Sequence, residues 1–145
     1  MKKISILVAD DNAMVRQSFR FIFEEDERFM FLGECKTGRE ALDKTYELHP
    51  DVVVMDINLP DISGCEATLL IRQISPGTSV LGASMHTQPE FVESILKNGA
   101  MGYITKTSPV GEIIKAAIEV SSGRKYICDE IERIFPGKNP DTNEK

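Results

Sequence analysis

Asp51-Val52-Val53-Val54-Met55-Asp56 is the stretch on which the fold turns. Its apolar run is β-branched and lacks polar alternation. A strand covered on both faces reads this way, and such strands belong to parallel sheets sandwiched between helices. Working outward, similar short runs recur. Ile4-Ser5-Ile6-Leu7-Val8-Ala9 stops at Asp10-Asp11, Ser79-Val80-Leu81-Gly82-Ala83 at Ser84, and Met101-Gly102-Tyr103-Ile104-Thr105 at Lys106. Phe29 to Cys35 reads as one further strand.

Between the runs the period changes from two to that of a helix. Val15, Phe19, Ile22 and Phe23 follow Asp11, with Asn12 as N-cap. Gly38 opens a helix carrying Ala41, Leu42, Thr45 and Tyr46, and His49-Pro50 ends it. After the loop residues Pro60 and Gly64, a third helix runs to about Gln73. Pro89 suits the first turn of a fourth, with Phe91, Val92, Ile95 and Leu96 inward. Pro109 starts a fifth, whose Val110, Ile113, Ile114, Ala117 and Ile118 keep helical spacing.

Five β–α pairs in alternation predict an α/β, doubly wound (βα)5 fold with a parallel five-stranded sheet. The common strand order is 2-1-3-4-5, which makes strands 1 and 3 neighbours at the topological switch point. Asp10-Asp11 and Asp56 would then face each other across that crevice. The domain is expected over residues 3–122. Residues 123–145 read as a C-terminal extension, in which Tyr126-Ile127, Ile131, Ile134 and Phe135 pack back, followed by a linker without an apolar anchor.

The chain has 145 residues, enough for one domain with a proper core. Its formal net charge of −6 argues against holding nucleic acid by itself, because phosphate binding needs a basic face. No apolar run is long enough to span a bilayer, and the N-terminal run is too short for a signal peptide. Cys35, Cys65 and Cys128 lack metal-ligand or disulfide spacing and read as inert thiols of a reducing cytoplasm.

The strand ends carry the chemistry. Singly, Asp10-Asp11 reads as a helix cap, Asp56 as a turn residue and Lys106 as a solvated lysine. Together they are hard to obtain by accident. Three clustered carboxylates repel, and one would take up a proton unless cations balance them. A divalent ion and one ammonium supply that balance. Hard oxygen ligands suit Mg²⁺, which keeps several waters and coordinates phosphate. Asp11, Asp56 and a main-chain oxygen of the next loop are the expected ligands, with Asp10 holding metal-bound water. Asp56, central in the sheet, is the expected nucleophile. Lys106 supplies a movable positive charge and Ser84 a hydrogen bond to the phosphoryl group.

In these residues the chain resembles the receiver domain of two-component response regulators. The resemblance rests on Asp10-Asp11, Met55-Asp56-Ile57-Asn58-Leu59-Pro60, Ser84 and Gly102-Tyr103-Ile104-Thr105-Lys106. It implies a CheY-like fold, Mg²⁺, and phosphorylation of Asp56 by a sensor histidine kinase. It also implies that Asn58 gives its backbone carbonyl to the metal, and that Ser84 and Tyr103 form the switch. Ser84 stands where threonine is commoner, and Thr107 follows Lys106 where proline is usual, which leaves the isomer of that bond open. Ser84-Met85-His86, Gly99-Ala100-Met101-Gly102-Tyr103 and Gly123-Arg124-Lys125-Tyr126-Ile127 resemble the NarL and FixJ class, whose members bind DNA through a C-terminal helix-turn-helix domain. The resemblance therefore implies a switch rather than a multiple-turnover enzyme. It implies transcription control through a domain beyond this chain, and a possible homodimer on phosphorylation. His86 lies near the site, where a role in dephosphorylation and no role at all are both open. A stand-alone receiver or phosphorelay protein acting on a protein partner is the alternative. A haloacid-dehalogenase phosphatase has similar ingredients, but its nucleophile comes first and an Asp-x-Asp motif follows the first strand. A flavodoxin-like FMN module would need a phosphate loop where Asp10-Asp11 would repel it.

Overall fold

The computed structural model describes residues 2–85 and 89–137. The strands are β1 (Ile4–Ala9), β2 (Phe29–Cys35), β3 (Val52–Met55), β4 (Ser79–Ser84), β5 (Gly102–Thr105) and β6 (Tyr126–Ile127). The helices are α1 (Ala13–Glu24), α2 (Gly38–Leu48), α3 (Gly64–Ile74), α4 (Pro89–Lys97), α5 (Val110–Ser121) and α6 (Asp129–Ile134). All strand pairs are parallel, in the order β2-β1-β3-β4-β5-β6. The expected order through β5 is present, and the sheet has six strands where five were expected.

The sixth strand is two residues long, too short to declare a period in the sequence. Tertiary pairing creates it: Tyr126 and Ile127 align with Gly102 and Tyr103. Ile127, Cys128 and Ile131 behind it are fully buried. The extension thus belongs to the same core, while Ile134 stays exposed.

Every residue of β3 is buried, as its unbroken apolar run requires. α1 packs beside α5, and α3 packs beside both α2 and α4. Phe19, Phe23 and Phe29 form an aromatic cluster under α1, with Phe23 edge-on to Phe29 at 5.0 Å. The Asn12 side chain caps α1 by accepting the N–H groups of Met14 and Val15. His49, in the left-handed region at φ 46°, ends α2.

Besides Ile134, expected to pack back, two inward expectations fail. Tyr46 is exposed, because Thr45 beside it takes the buried direction. Val110 is exposed because it opens α5 ahead of the packed turn, where it lines an apolar groove with Met14 and Phe21. The peptide bonds of the described residues are trans, Lys106–Thr107 included.

Candidate functional site

The strand ladders do not stop at the strands. The Asp10 N–H donates to the Cys35 carbonyl at 3.0 Å, the Asp56 N–H to Ala9 at 2.9 Å, and the Lys106 N–H to Ser84 at 3.0 Å. Each residue is thereby held one step past its strand by the neighbouring strand. Three elements of the sheet edge so fix the backbone from which the side chains reach.

Those side chains meet. Asp10, Asp11 and Asp56 each offer a carboxylate oxygen within 4.8 Å of the others. Lys106 Nζ lies 2.7 Å from Asp10 Oδ2 and 3.3 Å from Asp56 Oδ1. Asp10 and Asp56 are buried, whereas Asp11 is exposed. Asp10 has both oxygens engaged, since Oδ1 accepts the Asn12 N–H at 2.9 Å. Asn58, expected beside the site, donates its N–H to Asp56 Oδ1 at 3.3 Å.

The electrostatics follow from this crowding. Burial pushes the Asp56 carboxyl up to about 6, and the neighbouring charge of Asp10 adds to the rise. Lys106 and the Asn58 N–H offset part of it. Burial works against the Lys106 charge, but the hydrogen bond it donates to Asp10 and the charges of Asp56 and Asp10 outweigh it, so the ammonium is held above its ordinary range. One ammonium among three carboxylates leaves a net negative pocket of hard oxygen atoms with one exposed member. That donor set suits a small divalent cation that keeps part of its water.

Ser84 ends β4 and is buried between β3 and β5. Its hydroxyl is hydrogen-bonded to that of Tyr103, whose side chain is entirely buried. Burial pushes the Tyr103 phenol up to about 12. Behind Lys106, the Thr105 hydroxyl donates to Glu130 of α6 at 2.9 Å, so the extension reaches the residue next to the lysine. His86 lies outside the described residues.

Two supporting residues escaped sequence reading. Arg16 is buried and donates to the Asp10 carbonyl at 2.8 Å, while its Nε holds Glu34 at 2.8 Å. A guanidinium within the apolar stripe of α1 is the signal that marks it. Gly64, read only as a loop residue, packs its Cα against the Asp56 backbone. A Cβ there would collide with the Asp56 carbonyl oxygen and stand 2.9 Å from Ile57 Cα. No spacing rule exposes that contact.

Comparison with known proteins agrees with this geometry. Residues 6–118 match the model of the response regulator receiver domain. The response regulator GacA of Pseudomonas viridiflava is 34% identical over 128 residues, covering 88% of this chain and 60% of that protein. The transcriptional regulatory protein DegU of Brevibacillus brevis is 34% identical over 129 residues, covering 89% and 55%. The crystal structure of a LuxR-family two-component response regulator from Aurantimonas sp. SI85-9A1 superposes with a TM-score of 0.86 at 32% identity, covering 91% of this chain and 94% of that one. The chain thus spans somewhat over half the length of the curated relatives GacA and DegU.

Proposed function

This chain belongs to the response regulator receiver domain family, and we propose that Asp56 is its phosphoacceptor in a Mg²⁺-dependent transfer from a sensor histidine kinase. The observation that carries this reading is Lys106 Nζ set between Asp10 and Asp56, with exposed Asp11 completing the acidic pocket. Asp56 is central, buried and ordered by the sheet on the β1 side. At neutral pH a carboxyl that titrates near 6 is mostly ionised, as a nucleophile must be.

In the transfer, an Asp56 carboxylate oxygen forms a bond to phosphorus while the bond from phosphorus to the donor nitrogen breaks. The leaving imidazole remains with the kinase. Positioning and charge neutralisation are the protein's main contributions to such a reaction. Asp11, Asp56 and the Asn58 carbonyl would hold Mg²⁺, with Asp10 on its water, and the bound ion supplies positive charge to the phosphoryl oxygens. Lys106 adds the second positive charge by trading one of its carboxylate partners for the phosphoryl group. Ser84 donates a hydrogen bond to a phosphoryl oxygen, and Tyr103 is hydrogen-bonded behind it.

The donor protein must approach the strand-end face. Exposed Met14, Phe21 and Val110 form an apolar patch on α1 and α5, starting three residues beyond Asp11. That patch suits docking of a kinase helix. The likeness to GacA, DegU and the LuxR-family structure supports transcription control as the output, through a DNA-binding domain beyond these residues; a homodimer on phosphorylation belongs to the proposal. The domain so read is residues 3–122 with the 123–134 extension packed on it. Cytoplasmic residence fits the three free thiols, and among the described residues no helix is long and apolar enough to cross a membrane.

Acetyl phosphate with Mg²⁺ tests the proposal without the kinase. The expected product is a single base-labile adduct on Asp56, mapped by borohydride trapping and mass spectrometry. It disappears in Asp56→Asn and in excess chelator. An adduct on another residue, or sustained hydrolysis of unrelated phosphomonoesters, would overturn it.

A further inference from the structure

Tyr103 is a large polar side chain, yet nothing of it reaches the surface. The space it fills exists because its neighbour in register on β4 is Gly82. A Cβ at residue 82 would stand 2.9 Å from Tyr103 Cδ1 and 3.0 Å from Ile95 Cδ1 of α4. The first is closer than real Cβ atoms come, and the second is unusually tight. The Ile95 methyl ends a flexible chain and can turn aside, but the tyrosine ring is rigid and can yield only by moving as a whole.

The strand beneath the ring cannot yield easily either. β5 is paired on both sides, with β4 and with β6. The Tyr103 carbonyl accepts the Cys128 N–H at 3.0 Å, and the Met101 carbonyl accepts the Tyr126 N–H at 3.2 Å. Displacing β5 would break these bonds and disturb the fully buried Ile127 and Ile131. Relief of a contact at residue 82 therefore falls on the side-chain torsions of Tyr103, which swing the ring outward.

We propose that Gly82 is a positioning residue that holds the Tyr103 ring inward, against Ser84, in the unphosphorylated domain. The inward ring costs nothing sterically with glycine at 82, so it is populated without a phosphoryl group to draw it in. The arrangement also prepares Ser84. A hydroxyl has one donor hydrogen and two acceptor lone pairs. The hydrogen bond between the two hydroxyls holds Ser84 against the Tyr103 ring before a phosphoryl group arrives. The consequence for signalling is that phosphorylation changes the Tyr103 environment little in this protein, and that a side chain at 82 restores a ring that responds.

The inference rests on the reading of Asp56 as phosphoacceptor only for that last consequence. The test uses the whole chain labelled with 3-fluorotyrosine. There are three tyrosines, and Tyr103→Phe assigns one ¹⁹F signal by its loss. Without phosphodonor, the Tyr103 signal of the unaltered chain is expected to resist broadening by a soluble paramagnetic agent, in contrast to that of exposed Tyr46. Acetyl phosphate and Mg²⁺ should leave it within its linewidth. Gly82→Ala should broaden it readily at rest and shift it back toward the protected position on addition of phosphodonor. General loosening of the fold does not produce that gain of response. An accessible Tyr103 signal in the unaltered, unphosphorylated chain would sink the proposal, and that measurement requires no variant to fold. So would a protected signal unchanged by Gly82→Ala. Failure of any Asp56 adduct to form refutes the phosphoacceptor reading instead, and the resting signals still decide the role of Gly82.

Discussion

Removing the charge of Asp56 should stabilise the metal-free domain, although it deletes half of an ion pair. Asp56 titrates near 6 in the folded chain against an ordinary 3.8. Its folded form therefore binds a proton more tightly than its unfolded form. For a carboxyl raised in this way, the native state is favoured most below the unfolded value and loses that advantage as pH rises through about 6. The interval corresponds to about 3 kcal/mol at ~1.4 kcal/mol per pH unit. Water enters beside exposed Asp11 and screens part of it, and Asp56→Asn also gives up the 3.3 Å contact with Lys106, so a net gain of about 1–2 kcal/mol is expected at pH 8. The chain has no tryptophan, so urea unfolding followed by circular dichroism, in chelator, is the suitable assay. The unaltered chain should gain stability between pH 8 and pH 5 relative to Asp56→Asn, until the difference closes. Lys106→Met supplies the opposite sign. It leaves the acidic cluster uncompensated and should lose about 1–3 kcal/mol at pH 8, recovering on acidification. Saturating Mg²⁺, at about 100 times its dissociation constant, should add about 2.7 kcal/mol to the unaltered chain and less to Asp56→Asn. If Asp56→Asn were the less stable protein at pH 8 in chelator, or if the difference ignored pH, the account of this pocket as a strained cluster of like charges would be wrong.

Gly64→Ala should cost about 1–3 kcal/mol, because its Cβ has no room beside the Asp56 carbonyl; the same variant should slow acetyl phosphate labelling, and unchanged labelling would detach Gly64 from the site. Truncation after Gly123 removes the fully buried Ile127 and Ile131. At about 1.5–3 kcal/mol for each buried side chain, it should lower the urea midpoint by an amount worth several kcal/mol. A truncated chain as stable as the longer one would mean that β6 and α6 are not part of the folding unit.

Much of the site is legible in the sequence. A strand covered on both faces must be uniformly apolar, so Val52 to Met55 announced a parallel sheet. Alternation with helices then restricted the topology to few choices, and strand order placed Asp10-Asp11 beside Asp56. Lys106 and Ser84 were located by the same logic, since a strand's carboxyl end is marked by where its apolar run stops. The failures are equally physical. Val110 fits the helical period of α5 yet is exposed, because periodicity gives the direction of a face and not the turn at which packing begins. Tyr126-Ile127 is too short to show a period at all, and its strand exists only because β5 offers a free edge.

The sequence by itself determined the fold class, the strand order and the chemical inventory of the pocket, because these depend on local periods and on which residues end each run. Only the tertiary structure decided that Lys106 binds Asp10 more closely than Asp56, that Arg16 and Gly64 brace the backbone of the acidic residues, and that Gly82 opens the slot in which Tyr103 is buried. Those contacts join residues distant along the chain at separations of a few ångströms. No spacing in one strand or helix encodes them; they are set by how closely neighbouring elements approach.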